Sequence, residues 1–302
     1  MKKPFQSCVI CPRNCRVDRT AGQKGFCGMS DRLVAARAAL HMWEEPCISG
    51  TKGSGTVFFS GCSMGCVYCQ NQKIAKAEIG KQISVSRLAR IFCNLQDQGA
   101  ANINLVTPGH FVYQVLEALK LAKQKGLDIP IVYNSSGYEK AETIRILEGY
   151  VDVYLPDFKY WEKESARRYS SAPDYRAYAI ESLKEMVRQA GKPVFDGDGY
   201  MRRGVIVRHL VLPGHVEEAK KIIRYLYETY GDDIYISIMN QYTPLSWVED
   251  YPEINRKLTE EEYEAVVDAA IDLGVENGFV QEGETAKESF IPDFALQGIE
   301  KV

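Results

Sequence analysis

Three cysteines, Cys62, Cys66 and Cys69, stand in the segment Ser60-Gly61-Cys62-Ser63-Met64-Gly65-Cys66-Val67-Tyr68-Cys69-Gln70-Asn71. Thiolates separated by three and then two residues can wrap one corner of a 4Fe–4S cluster. An electron carrier closes such a cluster with four cysteines. Three leave one iron without a protein ligand, open to a cofactor or substrate. Gly61 and Gly65 let the loop backbone pass close to a cluster, and Tyr68 can offer an aromatic face to a ligand beside it. Two other readings compete: a zinc site completed by a distant ligand, or a four-thiolate cluster completed by Cys47 or Cys93. An aromatic before the third cysteine, directly after a predicted strand, favours the three-cysteine cradle.

A second array precedes it. Cys8, Cys11, Cys15 and Cys27 are spaced C-x2-C-x3-C-x11-C, with Pro12, Gly22, Gly25 and Gly28 supplying turns. Four thiolates close a tetrahedral zinc site or a second iron–sulfur cluster. Spacing does not choose the metal. Zinc is favoured slightly, because structural zinc commonly staples small loop-rich segments. Cys47 and Cys93 stand alone and read as small buried hydrophobes, although Cys47 lies between the two arrays.

Composition restricts the function classes. The 302 residues suffice for a large core, and a net charge of −3 argues against a general nucleic-acid or membrane-surface binder. Residues 1–40 carry eight basic side chains (Lys2, Lys3, Arg13, Arg16, Arg19, Lys24, Arg32, Arg37) against Asp18 and Asp31. That run reads as a solvated surface or as a basic docking face. Glu260, Glu261, Glu262 and Glu264 form an acidic run near the other end. No signal peptide or apolar span is visible, so a cytoplasmic location is expected. Eight of nine cysteines precede residue 70, and in a reducing compartment such crowding reads as metal or cluster binding.

The rest of the chain must position this chemistry. Near-continuous apolar runs at 56–59, 103–106, 129–133, 151–155, 205–211 and 234–238 fit parallel strands covered on both faces. Amphipathic stretches alternate with them. One starts near Ser84 or Ser86, with Leu88, Ile91, Phe92 and Leu95 on one face and Gly99 as its stop. The next carries Val112, Val115, Leu116 and Leu119, and the last opens on the capping-box pair Thr259 and Glu262. Six strand–helix units mean a partial (β/α) barrel or an open doubly wound α/β sheet. The glycine-rich stretch Ser49 to Gly55 precedes a strand, so it reads as a connector and not as a phosphate loop. Polar residues collect at the predicted strand ends: Thr107 and His110, then Asn134 and Ser136, then Asp157 and Lys159, then Arg208 and His209, then Asn240, Gln241 and Tyr242. In a barrel these ends share one rim, where active sites form.

Ser60 to Asn71 resembles the signature of the radical S-adenosylmethionine superfamily. The resemblance implies a partial (β/α)6 TIM-type barrel over residues 55–302, preceded by a cysteine-rich segment at 1–48. It implies a 4Fe–4S cluster and S-adenosyl-L-methionine as cofactors, with reductive cleavage to a 5′-deoxyadenosyl radical that abstracts hydrogen from a protein, peptide or small-molecule substrate. An electron donor such as flavodoxin or ferredoxin is the implied partner.

A narrower resemblance, to the uncharacterised group related to pyruvate formate-lyase activating enzymes, rests on several further segments. These are Asn134 to Tyr138, Leu155 to Lys159, Arg208 to Gly214 and Met239 to Tyr242. True activases carry Gly-Gly-Glu after the second strand, to meet the methionine amino group. This chain has Thr107-Pro108-Gly109-His110 there. The resemblance places Asp157 and Lys159 near the methionine end of the cofactor and gives Arg208 its carboxylate. His209 lines the cavity or packs. Two other classes compete: a non-catalytic electron-transfer protein, which would need four ligands per cluster, and a nucleic-acid-modifying protein reading through the basic N-terminal segment, where aromatic interleaving is weak.

Overall fold

The computed structural model describes residues 3–281 and 294–300. Met1 and Lys2 of the basic run, and residues 282–293 and 301–302 of the predicted barrel region, lie outside them. Among the described residues ten strands form one sheet: β1 (Val34–His41), β2 (Ser54–Phe59), β3 (Lys81–Gln82), β4 (Ile103–Val106), β5 (Ile131–Ser135), β6 (Val153–Pro156), β7 (Val194–Phe195), β8 (Met201–Leu210), β9 (Tyr235–Met239) and β10 (Gly278–Val280). Their order is β10-β9-β8-β6-β5-β4-β2-β1-β3, with β7 paired to β8.

Strands β2, β4, β5, β6, β8 and β9 coincide with the six predicted runs and lie parallel, each beside the next in chain order. β10 adds a seventh parallel strand beyond β9. Helices Val85–Asp97, Val112–Lys123, Ala141–Arg145, Tyr175–Ala190, Val216–Tyr230 and Glu260–Asp272 fill the successive crossovers. This is the partial (β/α)6 barrel: an α/β fold whose parallel strands all end on one rim.

The local signals act as their chemistry requires. Ser84 Oγ accepts the Arg87 N–H and opens the first crossover helix, whose Leu88, Ile91, Phe92 and Leu95 are all buried. Thr259 and Glu262 cap each other's backbone at the last. The acidic run belongs to this helix start, where Glu262 also holds Arg256. Carboxylates complement the positive end of the helix dipole there.

Strand side chains alternate between two apolar environments. Val57, Phe59, Leu105, Tyr133 and Tyr154 face the helices. Val132, Val153, Leu155 and Ile206 face inward and pack on Cys47 and Ile48. These two come from the link between β1 and β2, where Pro46–Ser49 forms one helical turn. The link therefore enters the barrel and fills its floor. Ile48 is fully buried, so its truncation to Ala should cost about 2–5 kcal/mol.

Two sequence readings need correction. The glycine-rich stretch is not a free connector along its length, because Ser54 and Gly55 are the buried first residues of β2. A Cβ on Gly55 would sit 2.8 Å from the Asn102 carbonyl oxygen, so the glycine permits close strand approach. The basic N-terminal run is not simply a surface, because Arg19 is wholly buried and Arg13 is bonded internally. β1 was not visible in the sequence. It pairs antiparallel with β2 and covers that strand's outer edge. Among the described residues no helix is long and apolar enough to cross a membrane.

Candidate active site

The rim above β2 is the cysteine loop. Gly61 leads into it at φ +87, where a side chain would be strained, and an added Cβ would lie 2.5 Å from the Cys27 carbonyl oxygen. The loop is thus pressed against the N-terminal segment. Cys66 and Cys69 line a cavity of about 370 Å³, while Cys62 is not among its lining residues and accepts the Met64 N–H at 3.3 Å. Burial pushes the Cys69 thiol up to about 12, reinforced by Cys66 and Cys62. Burial likewise raises Cys62, with Cys66 adding to the effect. Cys62 and Cys69, desolvated in this way, become thiolates readily only beside a strong cationic centre. The donor set therefore fits an iron–sulfur cluster held on three sides.

Across the cavity, β5, β6 and β8 supply one polar network. Arg208 donates from Nε to Asp157 Oδ1 at 3.0 Å and from Nη2 to Asn134 Oδ1 at 2.7 Å. Lys159 Nζ reaches Asp157 Oδ2 at 2.6 Å. Burial opposes the Asp157 carboxylate, but Lys159 and Arg208 outweigh it and hold its pKa below the usual range. Burial also opposes Lys159, yet Asp157 raises it and keeps it charged. Together these groups give a fixed, water-poor set of opposite charges, suited to orienting a zwitterionic ligand.

The network has a member the sequence did not reveal. Glu44, from the barrel-floor link, accepts from Asn104 Nδ2 at 2.9 Å and pairs with Arg208 Nη1 at 3.2 Å. Burial raises its pKa, opposed by Arg208. Nothing in the residue types of Trp43-Glu44-Glu45-Pro46 marks them as a buried link, because an acidic pair ordinarily lies in water.

The other predicted site residues separate by position. Tyr68 lines the cavity, and its hydroxyl accepts a hydrogen bond from Tyr160 at 2.8 Å. Thr107 is held at φ +57, with its N–H on the Asn134 carbonyl. Ser136 gives its carbonyl to Tyr175. Asn240 donates to the Gln281 side chain. None of Thr107, Ser136 and Asn240 is among the cavity's lining residues, whereas Gln241 is. His110 is buried with Nε2 2.8 Å from the Ser60 carbonyl oxygen, and burial with nearby Arg19 lowers it to about 3. It is a neutral packing histidine. His209 also packs, with Nδ1 2.7 Å from the Phe158 carbonyl oxygen.

The N-terminal array packs against the barrel, with Phe5, Cys8, Ile10 and Cys27 in the same apolar core as the barrel's outer face. Cys8, Cys11 and Cys27 are buried and Cys15 is partly so. Burial pushes Cys11 up to about 12, reinforced by Glu139, Cys27 and Cys8. Burial also raises Cys27, opposed by Arg19. A Cβ on Gly25 would touch both Cys15 and Cys27 sulfurs. The donor chemistry fits a thiophilic metal or cluster. Among the described residues no three Cys, His, Asp or Glu side chains meet at the spacing of a single metal ion.

Residues 56–226 match the model of the radical SAM superfamily. An uncharacterized protein of Methanocaldococcus jannaschii is 31% identical over 276 residues, covering 89% of this chain and 75% of that protein. Streptococcus suis SuiB, solved with its precursor peptide SuiA, superposes with a TM-score of 0.51 at 13% identity, over 74% of this chain and 47% of SuiB. That likeness concerns the fold, and the chain spans about half of SuiB's length. Methylornithine synthase (PylB) gives a TM-score of 0.46 at 14% identity, over 72% of this chain and 68% of that protein. With more than half of its length inside the family match and a relative aligned along most of the chain, this protein belongs to the radical SAM superfamily, whose members use a 4Fe–4S cluster and S-adenosylmethionine.

Proposed function

We propose that Cys62, Cys66 and Cys69 hold the 4Fe–4S cluster and that S-adenosylmethionine binds between them and the Asp157–Lys159–Arg208 network. The carrying observation is that Cys66, Cys69, Asn134, Asp157, Lys159 and Arg208, from four separate stretches of chain, line one cavity. When bound, the cluster and cofactor supply a 5′-deoxyadenosyl radical for hydrogen abstraction. The protein's part is positional. The Arg208 fork suits the methionine carboxylate, and Asp157 holds Arg208 and Lys159 in place. Tyr68, tied down by Tyr160, walls the cavity beside the thiols.

Residues 1–48 are read as a second, closed centre of zinc or iron–sulfur type, supporting the cluster loop from outside. A reductant such as flavodoxin or ferredoxin is the expected electron source. The substrate class stays broad: a protein, peptide or small molecule. Activation of a glycyl-radical enzyme is the narrower reading, supported by the motifs at Asn134 to Tyr138 and Leu155 to Lys159. A deuterated glycine in a candidate partner should then pass its label into 5′-deoxyadenosine.

The test of the main reading is direct. Anaerobically reconstituted, reduced protein should release 5′-deoxyadenosine from S-adenosylmethionine. The triple replacement of Cys62, Cys66 and Cys69 by Ala should reduce this to background. Continued cleavage by the triple variant would overturn the assignment.

A further inference from the structure

The cavity does not end at Arg208. Beyond Glu44 it opens into an inner chamber of about 410 Å³, whose walls include Glu45, Ser237 and Phe279. Trp43, Glu44, Arg208, Met239, Gln241 and Gln281 border both chambers, so the two are continuous.

Glu45 is only 8% exposed, and its Oε2 has no hydrogen-bond partner. Ser237 faces the same carboxyl group. The unmet group is an acceptor, so the missing partner is a donor.

The charges agree. Asp157 takes both Lys159 and Arg208, and Arg208 also takes Glu44. Among the described residues no ion pair is made by Glu45. Burial raises the Glu45 pKa, only partly opposed by Arg208, which is the state of a carboxylate lacking its counter-ion.

We propose that the inner chamber binds the ammonium group of a primary-amine substrate, with Glu45 as counter-ion. An ammonium carries three divergent donors on a point charge, whereas a guanidinium fork prefers paired acceptors in one plane. The alkyl chain then extends past Arg208 toward the outer chamber, which places its carbon–hydrogen bonds between Glu45 and the cysteine loop. The amine can belong to a free small molecule or to a lysine side chain of a peptide. This inference rests on the outer chamber being the cofactor site.

Titration calorimetry of the anaerobically reconstituted protein tests it. The probes are n-hexylamine, a pentapeptide with one central acetyl-flanked lysine, and 1-hexanol as the neutral control. One of the amines should bind at least about tenfold more tightly than hexanol, the scale of one charge-assisted hydrogen bond. Which amine wins identifies the source. Glu45→Gln should erase that margin and leave S-adenosylmethionine affinity within about twofold. Far-UV circular dichroism checks that the variant is folded. If it is not, Ser237→Val provides the same comparison with a smaller loss.

Equal binding of amine and alcohol, or a margin that survives Glu45→Gln (or Ser237→Val), overturns the proposal. Loss of S-adenosylmethionine affinity in Glu45→Gln would overturn it differently, by assigning the carboxylate to the cofactor. Amine selectivity in a protein that binds no S-adenosylmethionine would instead sink the cofactor reading of the outer chamber and leave the amine site standing.

Discussion

The two cysteine groups are neighbours in space but are built differently. Cys8, Cys11 and Cys27 are enclosed by protein, and no member of that quartet lines the cavity. Cys66 and Cys69 face open space on one side and a charged network on the other. A quartet with three enclosed thiols suits a centre that holds a segment together. Three thiols beside a cavity suit a centre that exchanges a ligand. One side chain joins them. Arg13, between Cys11 and Cys15, donates Nε to the Ser63 carbonyl and Nη2 to the Met64 carbonyl, both at 2.8 Å, and it also reaches the carbonyls of Ser170 and Ser171. Its guanidinium lies 3.8 Å over the Phe26 ring. The lesson is that the closed group sets the shape of the open one.

The largest test of this contrast is loss of a closed-group thiol. If the N-terminal thiols hold the proposed centre, Cys27→Ala should destabilise the protein by on the order of 3 kcal/mol, because the binding energy of such a centre is folding energy. Chemical denaturation should show it, while Cys69→Ala loses cofactor cleavage with a much smaller shift in midpoint. Equal shifts would erase the distinction.

Next in size is the arginine between them. Arg13→Ala strands several carbonyls and should cost about 2 kcal/mol. It should also broaden the electron paramagnetic resonance signal of the reduced cluster, which a merely structural loss elsewhere would not do.

Arg208→Lys acts on the open side alone. It keeps the charge and loses the fork, so S-adenosylmethionine affinity should fall roughly tenfold without a matching change in the N-terminal segment.

Taken over a single pH unit, the smallest effect is in pH. His110 is held at about 3, by burial and then by Arg19. Its folded-state pKa lies below the unfolded value, so the unfolded chain binds the extra proton. Stability should therefore fall as pH drops from about 6.5 toward 3, at about 1.4 kcal/mol per unit from this group. His110→Gln should flatten that part of the profile.

Much of the barrel was legible because each element carries its own signal. The inward and outward alternation of Val153 to Leu155, the caps at Ser84 and Thr259, and the cysteine spacing are all local. β1 was hidden, since Ala35, Ala36, Ala38 and Ala39 favour helix; pairing with β2 overrides that preference. Glu44 and Glu45 were hidden for a related reason. Acidic pairs normally lie in water, and only the path of the link into the barrel shows otherwise. Arg13 and Arg19 vanished into a basic run in which Arg16, Lys24 and Arg32 are exposed. At the end of β9, Gln241 lines the cavity and Asn240 turns to Gln281. A strand's two faces differ by one residue, and the sequence does not say where the alternation stops.

The link that fills the barrel floor bears on how the chain tolerates cutting. A protein begun at residue 55 would keep the family signature and all seven parallel strands. It would lose β1, leaving the β2 edge with unpaired backbone groups ready to template foreign strands. It would also lose Ile48 from among Val132, Val153 and Leu155, opening a void beneath the charged network. The minimal soluble catalytic fragment should therefore begin before Val34, well upstream of the motif that gives the family its name.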